Sequence, residues 1–170
     1  VMEVIERELG YQTVKTVHNP KSFSSFLKFD CIMRADQVSD WRDAVHMSAG
    51  LLVKRGFVEE SYVSNMLGFI EEQGFYAVSD DSFALLHGKG AEGILKTSLS
   101  LLVTREPVEF GEKKARVIFC LASKDGKEHI PAVVTLMRMV KTTALIHDLE
   151  QSRSAEEIYQ TVLDCEFEVL

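Results

Sequence analysis

The sequence predicts a layered α/β domain built on a mixed sheet. Apolar runs of strand length alternate along the chain with segments whose apolar residues recur at helical spacing. Glycines and capping residues separate the two kinds of segment. Interleaved helices and buried strands favour this architecture. The chain has 170 residues, of which 46% are hydrophobic, and this is enough for one domain with a full core.

Four helices are predicted in the body of the chain from helical spacing, capping residues and terminal glycines. Ser39 or Asp40 can cap the first helix, and Gly56 and Gly74 end the first and second. Ser154 and Glu157 have the spacing of a capping box at the start of the last. The predicted helices cover residues 40–56, 61–73, 129–140 and 154–163.

Strands are predicted where short apolar runs lack helical periodicity. The run that ends in Cys120 and Ala122 is apolar on both faces, so Cys120 is expected to be a small buried residue. Pro107 to Gly111 is expected to form a bend with a short extended piece. The predicted strands cover residues 76–78, 83–86, 98–103 and 116–122.

The first 28 residues differ from the rest and are expected to be a linker or the tail of a preceding domain. They can form a short helix over 2–9, a weak strand over 11–17 and a short helix over 22–28. The domain itself is expected to cover residues 29–170. Val1 stands where a start methionine would, which is compatible with a fragment of a larger protein.

Composition excludes several functional classes. The formal charge of −7 and the lack of a basic stripe argue against direct nucleic-acid contact. No apolar run approaches the roughly 18 residues of a membrane span, and the first residues lack the basic-then-apolar layout of a signal peptide, so we expect a cytoplasmic domain. Three widely spaced cysteines argue against a disulfide framework and a Cys-x-x-Cys zinc site.

Two of the five histidines stand at positions that suit chemistry. His87 directly follows an apolar strand and precedes Gly88, which leaves one side of the ring open. His129 begins a predicted helix soon after the apolar strand that ends at Ala122, so both histidines can meet at one sheet edge. A neutral imidazole can attack phosphorus, and a second donor beside it can hold the phosphoryl oxygens. Lys89 could add positive charge, Gly88 is a second candidate to support the phosphate, and such a site requires no metal or other cofactor.

Structural interpretations of the same residues remain open. A histidine after a strand or at a helix start is often only a structural residue. A zinc site made by His87 and His129 needs further ligands, and the sequence nearby offers only Asp125. The Gly88-Lys89-Gly90 segment lacks the spacing of a nucleotide-binding loop. The other histidines, expected on the surface or on helix faces, are His18, His46 and His147.

In the order and spacing of its motifs, the sequence resembles the fructose/mannitol superfamily of EIIA domains of the bacterial sugar phosphotransferase system, most closely the ascorbate/galactitol-like branch. The resemblance covers roughly residues 29–163. The motifs that carry it are Asp40-Trp41-Arg42-Asp43-Ala44, Leu51-Leu52, Gly56, Val58, Tyr62-Val63, Met66, Gly74-Phe75-Tyr76, Phe83-Ala84-Leu85-Leu86-His87-Gly88, the strand from Ser98 to Leu102, Pro107-Val108-Glu109-Phe110-Gly111, Leu121-Ala122 and Asp125-x-x-x-His129.

The resemblance implies a five-stranded mixed sheet flanked by helices. It also implies that His87 accepts phosphate from the carrier protein HPr, with His129 as the supporting histidine. Two residues depart from the family pattern. Leu86 replaces a proline and restores a backbone N–H with a freer φ. Lys89 stands near the place of an arginine and keeps its charge without the bidentate fork.

Three functional hypotheses follow. The domain could be a transport component that passes phosphate from His87 to a partner EIIB domain. It could be the EIIA-like regulatory domain of a sugar-operon activator or antiterminator, in which phosphorylation sets activity. It could also be a docking module that has lost phosphotransfer.

Overall fold

Helices cover both faces of one mixed sheet. The computed structural model describes residues 22–79 and 82–170. The helix over 2–9 and the strand over 11–17 that the sequence predicts lie outside this part of the chain. The elements in chain order are α1 (Phe23–Phe26), β1 (Leu27–Ala35), α2 (Trp41–Lys54), α3 (Glu60–Gln73), β2 (Phe83–Leu86), β3 (Ser98–Phe110), β4 (Lys113–Ala122), α4 (Ile130–Thr142), α5 (Leu145–Gln151) and α6 (Ala155–Val169).

The described strands lie in the order β1-β3-β4-β2. β3 and β4 are antiparallel, whereas β1 is parallel to β3 and β2 is parallel to β4. The predicted mixed sheet is therefore confirmed. Leu86 pairs with Cys120, so β2 and β4 end at the same edge of the sheet. The residues that follow these two strands are thereby brought close together.

Side-chain alternation along the central strands divides the core into two layers. Ile118 and Cys120 pack with α2 and α3 on one face. Val117 and Phe119 pack with α1, α4, α5 and α6 on the other. Successive strand residues point to opposite faces, so a strand covered on both sides is apolar throughout. This explains the uninterrupted apolar runs in the sequence.

The sheet has four strands in the described residues, against the five expected. The predicted strand 76–78 is only a single antiparallel bridge between Val78 and Ala84. Its backbone turns before it can pair further, since the Val78 N–H donates to the Phe75 carbonyl at 3.3 Å.

Of the bend with a short extended piece predicted at Pro107 to Gly111, the extended piece is confirmed, but the bend at Pro107 is wrong because β3 continues through Pro107 to Phe110. A register shift between Val103 and Val108 accommodates the proline. The turn comes at Gly111, whose φ of +67° favours glycine.

The core includes residues that precede the expected domain start at residue 29. Phe23 and Leu27 are fully buried in the core. Only Phe23–Phe26 of the predicted helix 22–28 is helical, and β1 begins at Leu27. The sequence missed β1 because its register shifts between Leu27 and Ile32 and because Phe29 is exposed, which breaks the alternation.

Predicted and observed helix starts agree best where the sequence carries a capping residue. Asp40 accepts a hydrogen bond from the Asp43 N–H at the start of α2. Ser154 accepts from the Glu157 N–H at the start of α6. α6 nevertheless runs to Val169, beyond its predicted end, and the short helix α5 was not predicted.

Candidate functional site

His87 lies at the end of β2, an edge strand of the described sheet. Its ring is half-buried. Nδ1 lies 3.2 Å from the Leu85 carbonyl oxygen. Because a carbonyl can only accept, this contact assigns the hydrogen of the neutral ring to Nδ1. Nε2 then carries the lone pair, which is the electron pair that a nucleophilic imidazole needs.

Aromatic rings hold the His87 imidazole from the side. The Tyr76 ring packs edge-on against it with centroids 5.3 Å apart. Phe69 lies 6.2 Å from the His87 ring and packs edge-on against Tyr76. The Tyr76 hydroxyl is 3.4 Å from both His87 Nε2 and the His87 carbonyl oxygen. These distances permit weak hydrogen bonds, so the ring packing is the stronger constraint.

His129 precedes the first residue of α4 and is held by a serine. Its Nδ1 lies 2.7 Å from Ser123 Oγ, and the same oxygen accepts a hydrogen bond from the Gly126 N–H. The hydroxyl can donate its own proton to Nδ1 or accept a hydrogen from it. When the serine donates, the ring hydrogen is on Nε2, and His129 then has an N–H donor on Nε2 where His87 has a lone pair.

Both histidines line one open hollow of about 400 Å³ at the ends of β2 and β4. The expectation that the two rings meet at one sheet edge agrees with this placement. The remaining lining residues come mainly from the loops that follow the two strands. They are Tyr62, Gly88, Gly90, Ala91, Leu121, Ser123, Lys124, Asp125 and Gly126.

Tyr62 connects the two strand ends beneath the hollow. Its hydroxyl accepts a hydrogen bond from the Gly88 N–H and donates one to the Leu121 carbonyl, both at 2.9 Å. The side chain is only 1% exposed. Burial raises the pKa of Tyr62 above its ordinary value, with a further contribution from Cys120. The hydroxyl therefore stays protonated and can bridge the loops that carry the two histidines.

Gly88 is required at its position by close packing. A Cβ atom there would lie 2.7 Å from Asn65 Oδ1 and 2.9 Å from Tyr62 Cε1. Its N–H is already donated to Tyr62. Gly88 thus allows the backbone after His87 to approach α3. The support for phosphate that was expected of Gly88 stays a prediction.

Lys89 is exposed and lines a neighbouring groove together with Asn65 and Phe69. The lysine that lines the hollow of the two histidines is Lys124. The role expected for Lys89 in holding phosphate stays a prediction, and Lys124 is a second cationic candidate. The sequence offered one signal for Lys124, namely its position two residues after the strand that precedes His129.

The other polar groups are accounted for by local structure. Asp125 Oδ1 accepts hydrogen bonds from the Lys127 and Glu128 N–H groups. The described residues contain no group of three or more His, Cys, Asp or Glu side chains placed to hold a metal ion. His46 and His147 are exposed on α2 and α5, and His18 lies outside the described residues.

The cysteines are buried in the core rather than placed at the site. Burial raises the pKa of Cys31 to about 11 and that of Cys120 to about 12. The expectation that Cys120 is a small core residue is confirmed, since it is fully buried.

The chain matches known proteins in sequence. Residues 25–165 match the family described as phosphoenolpyruvate-dependent sugar phosphotransferase system, EIIA 2. The chain is 26% identical over 130 residues to the ascorbate-specific EIIA component of Salmonella choleraesuis (strain SC-B67), covering 74% of this chain and 84% of that protein. The corresponding Escherichia coli K12 protein is 25% identical with the same coverage.

Solved structures share the fold. The solution structure of the cryptic mannitol-specific phosphotransferase enzyme IIA of Escherichia coli superposes with a TM-score of 0.75 at 20% identity, covering 82% of this chain and 97% of that one. The mannitol enzyme IIA of the same organism, solved in complex with phosphorylated enzyme IIB, gives a TM-score of 0.70 at 25% identity, covering 81% and 99%. No helix in the described part of the chain is long and apolar enough to cross a membrane.

Proposed function

The chain belongs to the EIIA 2 family of the phosphoenolpyruvate-dependent sugar phosphotransferase system, and we propose that it accepts a phosphoryl group on Nε2 of His87. The proposed donor is the phosphohistidine carrier HPr, and the proposed place of action is the cytoplasm. The observation that carries this proposal is the shared hollow, which both imidazoles line, together with the Leu85 contact that leaves the lone pair of His87 on Nε2.

The proposed transfer needs no proton movement at the attacking nitrogen. The Nε2 lone pair of His87 attacks phosphorus while the N–P bond of the donor histidine breaks. The electron pair of the broken bond stays on the donor nitrogen. The Nδ1 hydrogen of His87 stays on its bond to the Leu85 carbonyl, so the phosphorylated ring carries a positive charge beside the phosphoryl oxygens. His129 Nε2–H is proposed to donate to a phosphoryl oxygen, and Lys124 to supply positive charge.

The open hollow suits a reaction between two proteins. Its position at the sheet edge, with His87 half-buried, leaves the ring open to a partner's phosphohistidine. We propose EIIB as the acceptor, because a mannitol enzyme IIA with this fold was solved in complex with phosphorylated enzyme IIB. A regulatory domain of a sugar-operon activator or antiterminator is the alternative, and it would keep the phosphoryl group instead of passing it on.

Phosphorylation of purified protein tests the chemistry. The chain is incubated with phosphoenolpyruvate, enzyme I and HPr, and the label is mapped to a residue. We expect one acid-labile phosphoryl group, absent in His87→Ala and formed more slowly in His129→Ala. The matched controls are His46→Ala and His147→Ala, which remove exposed helix histidines and should label normally. Normal labelling of His87→Ala would reject the site.

The fate of the label separates the competing hypotheses. Rapid loss of label to an added EIIB supports a transport component. A stable phosphohistidine that no EIIB discharges supports a regulatory domain. A chain that takes no label but binds HPr is a docking module.

A further inference from the structure

The backbone that follows His87 is held by side chains of α3 instead of by the sheet. β2 ends at Leu86. The Gly88 N–H donates to Tyr62 Oη at 2.9 Å, and the Lys89 N–H donates to Asn65 Oδ1 at 2.9 Å. Asn65 Nδ2 in turn donates to the Lys89 carbonyl at 3.0 Å. Within residues 22–79 and 82–170, neither N–H has a main-chain acceptor.

The polarity of the Asn65 amide is fixed by these contacts. The Lys89 N–H can only donate and its carbonyl can only accept, so the reversed amide would place donor against donor and acceptor against acceptor. Asn65 therefore matches both main-chain groups of one residue. Two bonds from one planar amide restrain Lys89 in translation and in rotation, whereas the single bond of Tyr62 to Gly88 restrains distance alone.

The segment needs such a restraint. Gly88 and Gly90 flank Lys89, and Gly90 has a φ of +71°, so the loop is intrinsically flexible. Leu86 does not fix its own φ as a proline would. Without an external anchor, the backbone at Gly88 and Lys89 could move and carry the His87 ring with it.

We infer that Asn65 is a positioning residue, whose amide clamps the main chain of Lys89 and thereby keeps Nε2 of His87 directed into the hollow. The consequence for transfer rests on the proposed function, but the clamp itself does not. Asn65 acts through the backbone and contacts no reacting atom. Loss of the Asn65 amide should therefore lower the rate of phosphoryl transfer within the bound complex and leave the affinity of the domain for the donor unchanged.

Two variants test the clamp. Asn65→Ala removes both bonds, and because alanine favours helix, α3 should stay intact. Asn65→Asp keeps the acceptor for the Lys89 N–H but sets a carboxylate oxygen against the Lys89 carbonyl. The matched control is Gln160→Ala, which removes an exposed helical amide whose bond goes to Asp164 on its own helix.

The first readout needs no phosphate. Amide hydrogen exchange should show a protected Lys89 N–H in the parent chain and in Gln160→Ala, and fast exchange in Asn65→Ala. Asn65→Asp keeps the acceptor but loses the second bond, so its Lys89 N–H should exchange at a rate between those of the parent and Asn65→Ala. The ring-nitrogen NMR signals of His87 should move in the Asn65 variants from those of the Nδ1–H tautomer toward those of a free, averaging imidazole. Unchanged Lys89 exchange and unchanged His87 signals in Asn65→Ala would overturn the inference.

The second readout is the single-turnover rate of phosphorylation at varied HPr concentration. We expect the saturating rate of Asn65→Ala to fall about tenfold, since a displacement near 1 Å can cost up to about a hundredfold. The half-saturating concentration should not change. An unchanged saturating rate would contradict the positioning role even if Lys89 exchange increased. A parent chain that accepts no phosphoryl group would reject the proposed function, and the exchange and NMR readouts would still decide the clamp.

Discussion

Tyr62→Phe removes one oxygen atom from beneath the site and tests the bridge between the two strand ends. The hydroxyl makes two hydrogen bonds of 2.9 Å, one to each loop, and the ring around it stays in place. Each neutral hydrogen bond contributes about 0.5–1.5 kcal/mol net to stability, so the free energy of unfolding should fall by about 2 kcal/mol. For a domain of this size, that lowers Tm by roughly 4–8 °C.

The assay is urea unfolding followed by circular dichroism, with thermal unfolding as a second measurement. The midpoint should fall at an unchanged m-value, because the surface exposed on unfolding stays the same. The matched control is Tyr159→Phe on α6, whose ring packs edge-on against Phe29 while its hydroxyl makes no hydrogen bond to the described residues. We expect that control to unfold within about 0.5 kcal/mol of the parent. Equal stability of the two variants would refute the bridging role of Tyr62.

Three further predictions concern the same region and the core. Gly88→Ala should destabilise the chain by about 1–3 kcal/mol, because the added Cβ would press on the buried Tyr62 ring. The control is Gly68→Ala on α3, where an added Cβ would meet open space. That variant should be neutral or stabilising in the same urea assay. Tyr76→Ala should slow phosphoryl uptake roughly twofold to tenfold, because it removes the ring that packs against His87. Tyr76→Phe keeps the ring and should stay close to the parent rate. Equal slowing in both variants would assign the effect to the hydroxyl. Stability should fall as pH rises above about 9, because the pKa of the Cys120 thiol is raised from 9.0 to about 12 in the folded chain and the unfolded chain loses this proton first. Urea unfolding from pH 8 to pH 11 measures this loss, and a shallower decline in Cys120→Ala is expected; the same slope in both chains would contradict it.

Local signals predicted most of the fold. The caps Asp40 and Ser154 act over three residues, so the sequence alone locates the starts of α2 and α6. The apolar runs of β2 and β4 likewise mark strands covered on both faces. β1 was missed because its bulge and its exposed Phe29 break the pattern that identifies a strand.

In the sequence, the site could be recognised only from residues that follow a predicted strand. His87 and His129 each follow a strand, and parallel pairing of β2 with β4 brings those ends together. Tyr62 and Asn65 could not be identified in this way. Their partners lie far along the chain, Leu121 for the first and Lys89 for the second, and on α3 alone Tyr62 has the pattern of an ordinary apolar face residue.

Ser123 shows the same limit over a shorter distance. It is six residues from His129, yet its contact with Nδ1 depends on the turn that Gly126 makes between them. A serine after a strand has no distinctive pattern in sequence. Its role in orienting His129 follows only from the three-dimensional arrangement of the loop.

The most direct test of the account is the position of the phosphoryl group on the phosphorylated chain, measured by long-range proton–nitrogen NMR of the histidine rings. We predict phosphorus on Nε2 of His87, with Nδ1 still protonated and hydrogen-bonded to the Leu85 carbonyl. Phosphorus on Nδ1 of His87, or on any other histidine, would contradict it.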